Sequence, residues 1–332
     1  MFILDNEVLL ITESEVIKIL TMEDTLESVE EAFSEKARGH VQMPPKTYVT
    51  FEKYCGDFRT MPSFLETLDI AGVKVVNAHP NNPRLYDKPT VMATIMLIDP
   101  RSGTLLSIMG GTHITAMRTG AASGLATKYL AGPSSRILGL IGTGAQSRTQ
   151  LLAISKVINL NEVRAYDVSK EALSKFVKET EEEYNVKVTS CKSVDECVKN
   201  SDVICTLTPS TSPIVKKEWV HPGMHINAIG ADASGKQELD PTILKTSKII
   251  VDDLHQTLHC GEINVPISQG ILREEDIYAE LGEIIIGTKP GRLHSEEITV
   301  FDSTGISLQD ISTAHKVFKK AKAEKIGKWI TL

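Results

Sequence analysis

The sequence predicts an α/β protein: a Rossmann-type doubly wound parallel sheet joined to a second, α+β unit. Three observations predict it. From Arg136 onward, short apolar runs alternate with helical stretches or crossovers, which is the pattern of parallel strands linked by crossover helices. The first of these runs passes straight into Gly142-Thr143-Gly144 and then into a helical stretch. Before Arg136, strand-like runs follow one another with turn chemistry between them, as in an antiparallel sheet flanked by helices.

In chain order, Thr12 followed by Glu15 reads as a capping box that opens a short helix. Thr21, with Glu23 and Asp24 behind it, opens a second. Leu26, Val29 and Phe33 share one face of that helix, and Gly39 is its stop. Strands are expected over Thr47–Phe51, Gly72–Asn77 and Thr90–Asp99. The turn Asp99-Pro100-Arg101-Ser102-Gly103 returns the chain through Thr104–Met109. A helix rich in small residues spans His113–Leu130 and ends at Gly132-Pro133. The parallel strands are then Ile137–Ile141, Glu162–Tyr166, Val203–Leu207, His225–Ile229 and Lys248–Val251. Lys178–Glu183 reads as a solvated helix end, and Leu308–Lys322 as an amphipathic tail whose docking the sequence leaves open.

Composition narrows the function classes. The 332 residues are enough for about two domains, and 41% hydrophobic content supplies their cores, which excludes a largely disordered chain. A net charge of −7 gives no cationic excess for nucleic-acid phosphates, so no nucleic-acid partner is expected. The longest apolar runs, such as Val91–Ile98, fall far short of a membrane span, and Met1–Leu10 lacks a basic n-region. Five cysteines without a CxxC pair read as reduced thiols, so a cytoplasmic protein is expected. His255 and His259, with Cys260 and Glu262 nearby, are read as surface polar residues, and no metal site is expected.

Gly142-Thr143-Gly144-Ala145-Gln146-Ser147 carries the sharpest chemistry. Gly142 suits a tight turn and Gly144 lets backbone approach a pyrophosphate, whose charge the next helix's free N–H groups would face. Ser147 replaces the usual third Gly or Ala and is expected to widen the helix–strand contact slightly. Asp167 ends the next strand, where a carboxylate would accept the ribose hydroxyls and repel a 2′-phosphate; this favours NAD over NADP.

On these residues the chain resembles the ornithine cyclodeaminase/μ-crystallin family, and within it the NAD-dependent alanine dehydrogenase branch. The resemblance is carried in order by Gln42–Lys46, Phe58–Pro62, Val73–Pro80, Pro89–Ala93, Met117–Gly120, Gly142–Gln146, His225–Asp232, Gly235–Leu239 and Phe301–Gly305. It implies a substrate-binding and dimerisation domain (1–125 with 306–332) around an NAD-binding Rossmann domain (126–305), and a homodimer. It also implies action on the amino group of small amino acids, or on the corresponding 2-oxo or imino acids. Cofactor contacts are implied at Thr90, Arg118, Gly142, Gly144, Ala145, Gln146, Asp167, Thr208, Asn227, Ala228, Ile229, Lys236 and Ser303.

The resemblance places Lys46, Arg59, Lys74 and Arg118 at substrate positions. Of these, Arg118 has the fork geometry for a carboxylate. Asp232 is the implied acid/base, with Lys74 beside it as a catalytic residue. Pattern alone would turn Lys74 to solvent, with Val73 and Val75 buried; the match of three cations reverses that reading. Cyclodeaminases carry Glu where this chain has Arg59. The expected activity is therefore oxidation of L-alanine to pyruvate and ammonia. Ornithine cyclodeamination, ketimine reduction and a non-catalytic dinucleotide-binding role stand as the rivals.

Overall fold

Threonines open the first two helices of the chain, and the computed structural model describes residues 6–184 and 186–332. Two compact units emerge, Met1–Arg118 with Ile306–Leu332, and Thr119–Gly305. The first runs β1 (Glu7–Ile11), α1 (Glu13–Ile19), α2 (Met22–Ala37), β2 (Val41–Gln42), β3 (Thr47–Phe51), β4 (Gly56–Leu65), β5 (Ile70–Ala78), α3 (Asn82–Tyr86), β6 (Val91–Ile98), β7 (Leu105–Gly110) and α4 (Thr112–Leu130), the helix within which the units divide. Thr12 and Thr21 each close the capping box their spacing predicts, with Glu15 and Asp24.

The second unit runs β8 (Ile137–Ile141), α5 (Ala145–Ser155), β9 (Glu162–Tyr166), α6 (Lys170–Glu183), β10 (Lys187–Ser190), α7 (Val194–Lys199), β11 (Val203–Thr206), β12 (His225–Ala228), α8 (Pro241–Lys245), β13 (Lys248–Val251), α9 (Leu254–Cys260), α10 (Asn264–Ser268), β14 (Ile277–Glu280), α11 (Leu281–Ile285) and β15 (Thr299–Asp302). The chain then returns to the first unit through α12 (Ser307–Glu324) and β16 (Lys328–Thr331).

The first unit's sheet has the order β16-β1-β7-β6-β5-β4-β2, with β3 also paired to β4. It is mixed rather than antiparallel throughout, because β1 pairs with β7 in parallel after the excursion through α1 and α2. The strand β4 is absent from the sequence reading, since Pro62 lies inside it and proline argues against an interior strand. The pairing explains the exception. β3 covers β4 from Gly56 to Thr60 and β2 covers Phe64 and Leu65, so Pro62 falls in the gap where no ladder N–H is required on that side.

The helix α12 packs against α2, β4, β5 and β6. Its first eight residues, Ser307–Ala314, are all buried, and only beyond them does it become the amphipathic helix expected. Two buried hydroxyls there are bonded: Ser307 Oγ donates to Pro62 O (2.9 Å) and Ser312 Oγ to Ser28 O (2.6 Å). Near its exposed end, Lys316 pairs with Glu27 and Lys320 with Asp24.

The second unit's sheet has the order β10-β9-β8-β11-β12-β15-β13-β14, and every pair is parallel. Strand order reverses between β8 and β11, which makes the ends of these two strands the topological switch point. Among the described residues, no helix is long and apolar enough to cross a membrane.

Candidate functional site

At the switch point, β8 ends in Gly142, whose φ of +100° only glycine adopts without strain. A Cβ there would also meet Leu207 O, at the end of β11, at 3.0 Å. The next glycine, Gly144, is the N-cap of α5 and brings no side chain to its first-turn amides. A Cβ on it would find nothing within 4 Å. Open space over uncapped amides at a helix N-terminus fits a pyrophosphate. Ala145 is exposed and Gln146 half-buried at the same end of the helix. Ser147 does not simply widen the packing: its buried hydroxyl donates back to Gly144 O (2.7 Å) and stiffens the turn.

Asp167 has a task in addition to the one expected. Its Oδ2 accepts from Thr143 N (2.7 Å) and Thr143 Oγ1 (3.0 Å), and its Oδ1 accepts from Ser169 N (2.8 Å). The carboxylate thus ties the glycine turn to the end of β9, with lone pairs left for a ribose.

Across the switch point, Thr208 follows β11, and its N and Oγ1 both donate to Glu238 Oε1 (2.7 Å each). The other oxygen of Glu238 accepts from Gly230 N (2.9 Å), and burial holds this carboxyl above its ordinary range. Ser303, after β15, donates to Asp252 Oδ2 (3.1 Å), which also accepts from Thr304 N and Gly305 N. Glu238 and Asp252 therefore shape the loops at the carboxyl ends of the sheet; neither stands out in the sequence as more than a buried acid.

The predicted contacts on β12 divide. The Asn227 side chain is fully buried, donating to Thr127 Oγ1 (3.1 Å) and facing His225 Nε2 (3.2 Å). Its side chain is thus part of the core. Ala228 is buried too, and its carbonyl accepts from Ser303 N (3.1 Å), so it supports that loop. Ile229 is nearly buried, its N–H bonded to Thr206 O. Beyond them, Asp232 and Lys236 form an ion pair at 2.5 Å in a partly exposed loop.

The first unit holds the cations. Lys74 lies on the buried face of β5 with Gly72 and Val76, while Val73 and Val75 take the less buried face; pattern alone has the opposite assignment. Its Nζ lies 2.7 Å from Asp310 Oδ2, in the fully buried first turn of α12. Arg118 of α4 donates from Nε to Asp310 Oδ1 (2.9 Å) and from Nη1 to Gln309 Oε1 (3.0 Å). Burial, first, and then the Arg118 charge pull the Lys74 ammonium down to about 7 against the pull of Asp310; Lys46 lowers it further. Gln309 and Asp310 escape the sequence reading, because an acid in a helix's first turn ordinarily answers the macrodipole. The Leu308 and Ile311 that flank them were the available signal of burial.

Arg59 on β4 is held by Asp57, two residues earlier on the same strand face, through Nε (3.0 Å) and Nη2 (3.1 Å), and it lies over the Tyr48 ring. The pair offsets the bare positive charge expected at this position. Lys46 is half-buried ahead of β3, and Thr90, before β6, accepts from His79 N through its carbonyl. His255 and His259 on α9 meet ring to ring at 5.3 Å. Among the described residues, no group of three metal-ligating side chains comes together.

The parallel sheet, its strand order and the glycine turn at its switch point define a protein of the Rossmann class. The model of the ornithine cyclodeaminase/mu-crystallin family matches residues 6–325, and the chain belongs to that family. It is 48% identical over 97% of both chains to an alanine dehydrogenase of Archaeoglobus fulgidus. Among solved structures, an archaeal alanine dehydrogenase dimer with bound NAD superposes with a TM-score of 0.93 at 48% identity, over 98% of this chain and 99% of that one. The Δ1-pyrroline-2-carboxylate reductase of Thermococcus litoralis, in complex with NADH and L-proline, gives 0.94 at 39% identity, over 97% and 99%.

Proposed function

We propose that the protein is an NAD-dependent amino-acid dehydrogenase that converts L-alanine, NAD and water to pyruvate, ammonium, NADH and a proton. The observation that carries this reading is the full-length likeness, at 48% identity, to an alanine dehydrogenase. The buried cation cluster supports it, because a carboxylate-bearing substrate requires a desolvated positive anchor.

In this reading, Thr119–Gly305 is the cofactor unit. The amides after Gly144 hold the pyrophosphate, and Asp167 the ribose. Gly142, Ala145, Gln146, Thr208, Ile229, Lys236 and Ser303 are the proposed further cofactor contacts of this unit; Thr90 and Arg118 are proposed as contacts on the family resemblance. NAD, when bound, accepts the hydride from the amino acid's α-carbon.

The chain's own groups do the rest. Arg118 keeps its Nη2 outside the bonds to Asp310 and Gln309 and presents it, with Lys74 and Lys46, to the substrate carboxylate. Asp232, its charge steadied by Lys236, takes the ammonium proton, releases it to solvent, and as a carboxylate again takes a proton from the water that attacks the imine carbon. The Arg59–Asp57 pair offers no uncompensated anion to a distal ammonium, which supports a small neutral side chain over ornithine. Five free thiols accord with a reducing, cytoplasmic setting, and a homodimer is the proposed assembly.

A second reading, reduction of a cyclic imino acid, is favoured by the likeness to the pyrroline-carboxylate reductase and uses the same carboxylate anchor. The variant Asp232→Asn tests the mechanism common to both. Turnover is expected to fall at least about a hundredfold, with NAD affinity unchanged by titration calorimetry. Unchanged turnover would remove Asp232 from the chemistry.

A further inference from the structure

We propose that Asp310 is a positioning residue, dividing one buried carboxylate between Lys74 and Arg118 and so setting both for an anionic substrate group. The inference rests on the reading of Lys74 and Arg118 as the carboxylate anchor, and names the residue that makes them one.

The geometry is specific. Each Asp310 oxygen takes one cation, Oδ2 the Lys74 ammonium at 2.7 Å and Oδ1 the Arg118 Nε at 2.9 Å. The carboxylate is itself fully buried, and Lys74 is only 1% exposed. Gln309, the preceding residue, accepts from Nη1 at 3.0 Å, so the guanidinium is held at two of its nitrogens in a set orientation. Nη2 lies outside these two bonds and is the donor offered to an anionic group.

Charge accounting gives the same result. The charged groups acting on Lys74 are Asp310 from α12, Arg118 from α4 and Lys46 from the segment before β3. Two buried cations, Lys74 and Arg118, share one carboxylate, so the pair keeps a positive excess that suits an anionic ligand. Without the carboxylate, Lys74 would stand beside Arg118 and Lys46 with no counter-ion and would lose its proton. With two carboxylates, the excess would vanish. A single acid placed between two bases keeps the ammonium available while leaving it unsaturated. The acid arrives from the far end of the chain, on the buried turn of α12 that packs against β5.

The test is a titration of Lys74 in protein carrying 13C at the lysine ε-carbons, with the Lys74 signal assigned by its loss in Lys74→Met. In the wild type it titrates near neutrality. In Asp310→Asn, with a cooperative melt showing that the fold is kept, it moves acid-ward by about one to three pH units. The pyruvate KM rises by about tenfold or more, and the Lys74-dependent limb of the rate profile moves with the titration. A folded Asp310→Asn whose Lys74 titrates where the wild type does would overturn the proposal, whatever its activity.

Arg118→Gln supplies an independent arm, should the first variant not fold. It leaves the carboxylate to Lys74 alone, and Lys74 moves to higher pH; no upward movement would also overturn the proposal. Neither titration uses a substrate. Absence of alanine turnover in the wild type would therefore refute the proposed function while leaving this test intact.

Discussion

A buried ammonium needs a counter-charge within reach, and the Asp310 carboxylate supplies one to Lys74 at 2.7 Å. Alternation in β5 turns either its odd or its even positions inward, and apolar Val73 and Val75 vote for one answer. The structure takes the other, because the Asp310 carboxylate meets the buried ammonium at 2.7 Å. That compensation comes from residues 236 positions away in the case of Asp310, by its numbering against Lys74, a separation no local pattern reports. Asp167 was legible from its place after a strand, but its bonds to Thr143 were not, since they depend on the turn's three-dimensional course. The burial of the Asn227 side chain is not legible either, because a motif on a strand says nothing of which side chains point into the core.

Among elements, those with local grammar were legible. The capped helices, the hairpin through Asp99–Gly103 and the strands β8, β9 and β11 to β13 follow from caps, turns and apolar runs. The strands that escaped, β1, β2, β4, β10, β14, β15 and β16, are short, polar or broken by Pro62, and β1 and β16 are held by partners distant in sequence. The placement of α12 depends on one such position. Gly72 on β5 admits the helix, since a Cβ there would meet Met96 O at 2.5 Å and Ile311 Cδ1 at 2.8 Å. Gly72→Ala is therefore expected to destabilise the protein by about 1–3 kcal/mol, because backbone on one side cannot yield and α12 must shift. Denaturant unfolding measures this. A value indistinguishable from wild type would mean that α12 is not seated on β5 as described.

At the scale of the whole molecule, buried ionisable groups tie stability to pH. Burial lifts the Asp302 carboxyl from 3.8 to about 8, and the Asp252 charge contributes in the same direction. The folded protein thus holds a proton that the unfolded chain releases between these values. The stability so contributed is fully present below about 3.8 and is lost as pH rises through 8. His225 works in the opposite direction, buried between Thr299 and Asn227 and pulled down to about 3. Its contribution is present above 6.5 and is lost as pH falls towards 3. Asp302→Asn isolates the first term: relative to wild type, the variant's melting temperature should rise steadily from pH 4 to pH 8. A difference independent of pH would show that Asp302 is not held protonated by the fold.

NADH absorbance reads directly whether electrons pass in net from a small amino acid to NAD. Purified protein would be given NAD with L-alanine and, in parallel, NAD with L-ornithine. Steady NADH formation is expected with alanine, equimolar with pyruvate and ammonium, and none with ornithine. Proline and ammonia formed from ornithine without net NADH, together with no NADH from alanine, would contradict it.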